Sequence, residues 1–520
     1  MKIANRLFVL LTLLLFPNIF AWAQGPTAIR AKIIDSKTRM PVPFATVKIM
    51  KGKEFRWGVI SNGEGDFQIP FQYRPIIDSI VITCIGYENQ VLKMNQLLDD
   101  KVNIINLKAA SVKLQEVVVS ARRKGRLAAN KIVRLAIQNI PNNYPIHPFS
   151  YVAYYRDYQR EENEYVNLNE AIVGIFDEGF DANDFLSTKI KLYQYRTNKD
   201  FRRDSTTAIT YDNNNFGGNK FIPTATVFSF GGNELSILRV HDAIRNNSAI
   251  SYSFVNEFKS DFVKHHSFKL LETVSLDDAP LYHISFQSLY FITGAEHFAK
   301  GEIFIEHGNY AIHKLIYSTY LKELDNEKLL YKIQVEYARA DSLMFLNYIS
   351  FNNLFKSNTN EGFRVDNVVY DRAMNAFIVT FNRTPQRMTA LDKRNYDFKF
   401  DKKPFNISEI EASESNDKEV RVFVENAHDF NLFEKPDVLA KKFEAIFKNI
   451  KDIQGNEVNE VKYKLVNQFR ELFLQKLEQS SEEPNVGSFI SKETPMKQNR
   501  IDSVHVNSSN YWMNTPLKKN

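Results

Sequence analysis

Ten histidines and one cysteine bound the metal and nucleophile chemistry open to this chain of 520 residues. The single Cys84 excludes an internal disulfide framework and any multi-cysteine zinc or iron–sulfur site. It lies in the apolar run from Ile80 to Ile85 with no cation beside it in sequence, so it reads as a core thiol rather than an activated thiolate. No His-Glu-x-x-His occurs, and no histidine is followed by Glu at the His-x-x-Glu spacing that zinc carboxypeptidases use. His265 and His266, read as neighbours on a strand, would point to opposite faces, which suits one metal badly. Glu425-Asn426-Ala427-His428 is a lone Glu-x-x-His, where a di-iron bundle needs two. Glu64 and Asp66, in the turn Ser61-Asn62-Gly63-Glu64-Gly65, lack the regular oxygen spacing of a calcium loop. There is no Gly-x-Ser-x-Gly elbow and no Walker loop. The expectation is a chain without catalytic, metal or cofactor residues; a dispersed carboxylate pair, which needs no local spacing, stays open.

The remaining candidate site is apolar. Leu329, Tyr331, Ile333, Val335 and Tyr337 alternate with Lys332, Gln334 and Glu336, so they should share the dry face of one long strand. Either a helix covers that face, or it lines a cavity for an apolar ligand. The candidate covering helices are 126–140, with Ala128, Ile132, Leu135, Ala136 and Ile140 at helical spacing, and 233–245, with Asn233 as its cap and Leu235, Leu238 and Ile244 on one side.

Around these elements the chain divides by pattern. Residues 1–23 read as a signal peptide: Lys2 and Arg6, an apolar run from Leu7 to Phe20 too short to span a bilayer, then Ala21-Trp22-Ala23. Residues 27–118 show short alternating strands and frequent turns, as in a small Greek-key β-sandwich. Residues 119–147 form a basic linker and a helix. Residues 148–430 read as an antiparallel-sheet α+β domain: an aromatic strand from Phe149, a polar insertion over 180–232, and a meander whose β pattern resumes at Phe262. Two stripes, Leu439-Phe443-Ile446-Phe447-Ile450 and Val458-Val461-Leu465-Phe469-Leu472, predict a helical hairpin over 431–478. Residues 479–520 read as a flexible tail in which Tyr511-Trp512 docks back or elsewhere. The fold class is mixed β and α+β. Aromatic residues at 13%, led by 41 Phe and 24 Tyr, favour that β content. A net charge of +6 over this length is too weak for nucleic acid, and removal of Lys2 and Arg6 lowers it to about +4.

The order Ile33-Ile34-Asp35, Pro41-Val42-Pro43-Phe44-Ala45-Thr46-Val47, Ser61 through Phe67, Ile85-Gly86-Tyr87 and Leu114 through Val119 resembles the carboxypeptidase regulatory-like module, a transthyretin-like sandwich. The resemblance implies a fold without catalytic residues of its own, found in Gram-negative envelope proteins such as TonB-dependent receptors. The stretch from Lys131 to Ala171 resembles uncharacterised secreted proteins in which a helix and strand follow this module. Gly301–Glu306 with Tyr310–Tyr317 resembles strands of lipoprotein-carrier-like half-barrels. These features lead to an exported, non-enzymatic envelope protein that binds or scaffolds in the periplasm or at the outer membrane. Its expected partner is an envelope protein or outer-membrane component, with no transmembrane helix once the leader is cleaved. One alternative is a lipid or lipoprotein carrier with an apolar cavity in the middle domain; a second is a hydrolase with a dispersed site.

Overall fold

The computed structural model describes residues 28–110, 127–208, 220–221, 232–430, 442–478, 489–502 and 511–518, apart from 53, 163, 252–253, 278, 294–295, 323–325, 359–361 and 461–462. Residues 1–23, read as a signal peptide, the basic stretch 121–126 and the stretch from Leu114 to Val119 lie outside the described residues.

The N-terminal module is a two-sheet sandwich, as expected. It is built from β1 (Ala28–Asp35), β2 (Thr46–Lys51), β3 (Glu54–Ile60), β4 (Asp66–Pro70), β5 (Ser79–Thr83), β6 (Gln90–Lys93) and β7 (Val102–Leu107). One sheet runs β4-β1-β7 and the other β3-β2-β5-β6. Ile29, Ala31, Ile33, Val47, Ile49, Ile80 and Ile82 are fully buried between them. At the turn before β4, Asn62 Oδ1 accepts from the Glu64 and Asp66 amides. Gly65 adopts φ +77° there, and a Cβ on it would meet the Ile33 carbonyl oxygen at 2.4 Å. Only glycine fits such a position.

The middle of the chain supplies β8 (Phe149–Glu161), β9 (Glu164–Asp177), β10 (Lys189–Thr197), β11 (Lys220–Phe221), β12 (Ile250–Ser251), β13 (Asn256–Glu257), β14 (His266–Leu276), β15 (Ala279–Ser288), β16 (His297–Glu306), β17 (Ile312–Lys322), β18 (Glu327–Ala340) and β19 (Leu343–Asn358). An inserted unit follows: β20 (Val365–Asp371), β21 (Ala376–Phe381), β22 (Tyr396–Phe400), β23 (Lys403–Pro404), β24 (Ile407–Ala412), β25 (Glu419–Val424) and β26 (Phe443–Phe447). The chain then returns through β27 (Tyr463–Glu478). The large sheet is antiparallel along the order β10-β9-β8-β27-β19-β18-β17-β16-β15-β14, so β27 enters its centre between β8 and β19.

Four expectations are corrected. The helical hairpin over 431–478 is absent: in its described part, β26 and β27 are strands. Phe443, Ala445 and Phe447 pack inward with period two while Ile446 is exposed, and β27 is buried on both faces, a pattern that mimics a helical stripe. Leu439 lies outside the described residues. The single domain over 148–430 is interrupted, because 363–459 forms its own sandwich of sheets β20-β21-β25-β24 and β23-β22-β26 around Phe377, Val379, Phe398, Val420 and Val422. Its strands share the two-residue period of the meander, so period alone could not separate them. The polar stretch 180–232 contains β10, which pairs with β9. The tail is held where it is described: the Ile490 and Asp502 amides donate to the Ile190 and Leu192 carbonyls at 2.9 and 2.7 Å, covering the open edge of β10.

The expected helices are present as Ala129–Gln138 and Glu234–Val240, the second capped by Asn233 Oδ1 accepting from the Ser236 amide. A further helix, Phe258–His265, replaces the start of the strand expected from Phe262; Phe258, Phe262 and His265 are its buried face. Among the described residues no helix is long and apolar enough to cross a membrane.

Candidate functional site

The candidate apolar face lies on β18, and one of its five residues leaves it. Tyr331, Ile333, Val335 and Tyr337 are buried in the largest core, whereas Leu329 is half-buried outside it. The cause is a β-bulge: Thr319 pairs with Tyr331 and Tyr320 with Leu329, so Leu330 is skipped. One extra residue reverses the alternation beyond it, and Leu330 joins the core where Leu329 was expected.

Helix and turn cover this face. His241 stacks on Phe351 of β19 with ring centroids 4.0 Å apart. Tyr144 meets Tyr337 edge to face at 5.0 Å, and the Tyr337 hydroxyl donates to Asp242 Oδ2 at 2.7 Å. The helix is also tied down by charge. Arg470 of β27, with no solvent exposure, pairs with Glu234 at 2.5 Å and donates to Asn353 Oδ1 at 2.7 Å. Arg239 pairs with Asp184 and donates to the Tyr151 hydroxyl, and Arg245 grips Asp177 through two guanidinium nitrogens. The space left beside Tyr337, Asp242 and Arg239 is about 20 Å³, room for about one water. This part of the face is packed core rather than an apolar tunnel.

The opposite face is covered as well, by the module and the C-terminal segment 511–518. β3 lies against β27, and Phe44 stacks on Tyr348 at 4.8 Å. Glu64, one of the two carboxylates of the glycine turn, pairs with Arg160 at 2.5 Å and accepts from the Tyr165 hydroxyl at 2.9 Å. Burial raises its carboxyl and these partners more than reverse the effect, leaving it lowered. Asp66 instead meets Lys32 at 3.2 Å, so the pair does not converge on a cation. Beneath the module, Arg156 pairs with Glu471 at 2.6 Å, and Tyr348 donates to the same carboxylate at 2.8 Å. Glu170 collects the Tyr154, Arg196, Asn198 and Thr515 side chains within 2.7 Å. The face of β18 bearing Gln334 and Glu336 is thus buried too, although its polar residues suggested solvent. Cys84 lies half-buried in the module's core margin, and burial pushes its thiol up to about 12 against the pull of Lys314, as suits an inert thiol.

Sequence reasoning missed these buried ion pairs. The available signal was Arg156, set among Tyr154, Tyr155 and Tyr158 where a one-sided strand would carry its charges on every second residue. The two adjacent histidines do not share a strand: His265 ends a helix, and His266 bonds the Phe262 carbonyl oxygen and the Tyr317 hydroxyl. Burial lowers His266 to about 4, so it is neutral near pH 7. Among the described residues no group of three or more His, Cys, Asp or Glu side chains is placed to hold a metal ion. A cleft of about 820 Å³ lies between the helices Ala129–Gln138 and Phe258–His265, with Phe180, Asp181, Asn247 and Ser248 completing its lining.

Residues 29–119 match the family model of the CarboxypepD_reg-like domain, so the chain carries that domain at its N-terminal end. No curated protein matches the chain. Among solved structures, a LolA superfamily protein from Nitrosomonas europaea matches with 12% identity and a TM-score of 0.20, over 44% of this chain and 86% of that one. A DUF1329 family protein from Desulfovibrio piger matches with 8% identity and a TM-score of 0.22, over 43% of this chain and 86% of that one.

Proposed function

We propose that this chain is an exported, non-enzymatic protein of the Gram-negative cell envelope that binds or scaffolds other components in the periplasm or at the outer membrane. One observation carries the reading: over its central strands, both faces of the large sheet are occupied by parts of the same chain. Helix 234–240 is fastened to one face through Arg470–Glu234 and Arg239–Tyr151, and the turn after it through Arg245–Asp177. The regulatory-like module and Trp512 with its neighbours cover the other. A sheet spent in this way is a rigid platform that presents the module, the inserted sandwich and the outer helices to partners. The leader-like N-terminus supports export, and a module type without catalytic residues supports a non-catalytic role.

The packing of Tyr331, Ile333, Val335 and Tyr337 argues against a lipid tunnel along that strand. The test is fractionation of cells producing the full chain, followed by cross-linking, pull-down and mass spectrometry of proteins and lipids. The expected result is recovery from periplasm or outer membrane with a reproducible set of envelope partners and no release of C-terminal amino acids from peptides. Retention in the cytoplasm with the leader uncleaved would refute the location. Chelator-sensitive peptidase activity that copurifies with the chain would refute the non-enzymatic role.

A further inference from the structure

The 820 Å³ cleft combines a basic wall with an apolar floor. Ile137, Ile140, Phe180 and Val263 supply the apolar surface, of which Ile137 and Ile140 are buried and the other two half-buried. Arg134 comes from helix Ala129–Gln138, and Lys259 and Lys264 from helix Phe258–His265. All three are exposed, and none forms an ion pair with a carboxylate among the described residues. The buried Arg156, Arg239, Arg245 and Arg470, by contrast, are each matched to a carboxylate. One carboxylate, Asp181, shares the lining. Three cations against one anion leave a net charge of about +2, opposite to the −1.5 to −2 or so of a phosphomonoester at pH 7. Ser248 and Ser260 add hydroxyl groups for its oxygens. The volume falls within the roughly 300–1,000 Å³ typical of small-molecule sites.

We propose that this cleft binds the phosphate head of an anionic amphiphile, with the apolar floor taking the first carbons of its chain. The proposal deepens the binding reading by naming a ligand class, and it holds irrespective of where the chain resides. The head could belong to a lipid or be a free phosphate, and the floor favours the lipid.

The test is calorimetric titration of the full chain with decyl phosphate below its micellar concentration, in parallel with decanol, inorganic phosphate and an acidic peptide. The expected result is one decyl phosphate per chain, weaker inorganic phosphate and no saturable decanol binding. Affinity should fall on raising salt, and by roughly tenfold for each of Arg134→Gln, Lys259→Gln and Lys264→Gln. These side chains are exposed, so the variants should keep the parent circular dichroism spectrum; the salt series tests the charge argument even if one does not. Absence of decyl phosphate binding, equal binding of decanol, or affinity unchanged in all three variants would overturn the proposal. Inorganic phosphate binding as tightly as decyl phosphate would overturn the lipid source, and tighter binding of the acidic peptide would replace the amphiphile with a protein partner. The platform reading fails on different results, namely peptidase activity or cytoplasmic retention, so the two can be separated.

Discussion

Single residues show how this protein tolerates charge in its core. Ile333, 1% exposed on β18, stands for its apolar part: packed on all sides, its truncation to Ala should cost about 2–5 kcal/mol in urea unfolding. A near-neutral change accompanied by lost binding of a fluorescent fatty acid would instead make that face a ligand surface. Asp242 stands for the polar part. Burial pushes its carboxyl up to about 6, and the neighbouring charge of Asp184 adds to this, while the Arg245 and Ile244 amides and the Tyr337 hydroxyl pull it down. Asp177, Arg239 and Arg245 complete its surroundings. A carboxyl raised on folding contributes stability that is fully present below about pH 4 and is lost as pH rises through about 6. The charged form at pH 8 then costs on the order of 3 kcal/mol. Asp242→Asn should therefore gain stability relative to the parent on going from pH 4 to pH 8. Parallel melting curves that leave the difference between the two proteins constant would contradict this. None of it is visible in the sequence, where Asp242 sits in an ordinary polar helix end, because the residues that bury it come from distant segments, Tyr337 95 positions away among them.

Among elements, local strand and turn chemistry could be read from the chain, and partnership between distant segments could not. The module's strands, the Asn62 turn and the Asn233 cap all depend on neighbours a few residues away. β27 was misread because a central strand, covered on both faces, loses the alternation that identifies a strand: Val466 and Leu472 face the helices while Phe473 faces the module. For the C-terminal segment the sequence leaves Tyr511-Trp512 docking back as one alternative without its target, because its bonds are almost all long-range. Trp512 enters the module's core, its ring 5.0 Å from Tyr73 and its indole N–H donating to the Gln68 carbonyl at 3.1 Å. Asn514 accepts from the Gln68 amide and donates to the Ile60 carbonyl. These groups satisfy the open edge of β4, which would otherwise present unpaired amides. Trp512→Ala should destabilise the module by about 3–5 kcal/mol and raise hydrogen exchange at Gln68. The isolated fragment 27–110 should still fold, with a lower Tm that rises when a peptide of residues 511–518 is added. A fragment as stable as the module in the intact chain would mean that the segment contributes little.

The whole molecule is an uninterrupted large sheet with one sandwich docked on it and another inserted into it, and the insertion point tells how the two were joined. β19 and β27 pair antiparallel from Tyr348–Phe473 to Asn358–Tyr463, so their last register partners face each other across the point where the chain departs. Residues 363–459 hang from that point, and the Asn459 amide donates to the Phe363 carbonyl at 2.7 Å where they begin and end. Their aromatic core is separate from the core of the large sheet. In topology, β19 and β27 are therefore a hairpin whose loop has been replaced by a domain. Replacing 359–462 by a short Asn-Gly turn should leave the large sheet and the docked module folded, because the register that holds β27 between β8 and β19 is set by the strands themselves. The excised sandwich should fold alone, its Phe-rich core being complete within 363–459. Circular dichroism and thermal melting of both pieces decide the matter. If the shortened chain fails to fold while the sandwich folds, closing β27 into the sheet requires the insertion. If instead both fold and the shortened chain keeps its partners in pull-down, the sandwich is an accessory to the platform. Loss of those partners with the fold intact would place the recognition surface on the inserted sandwich.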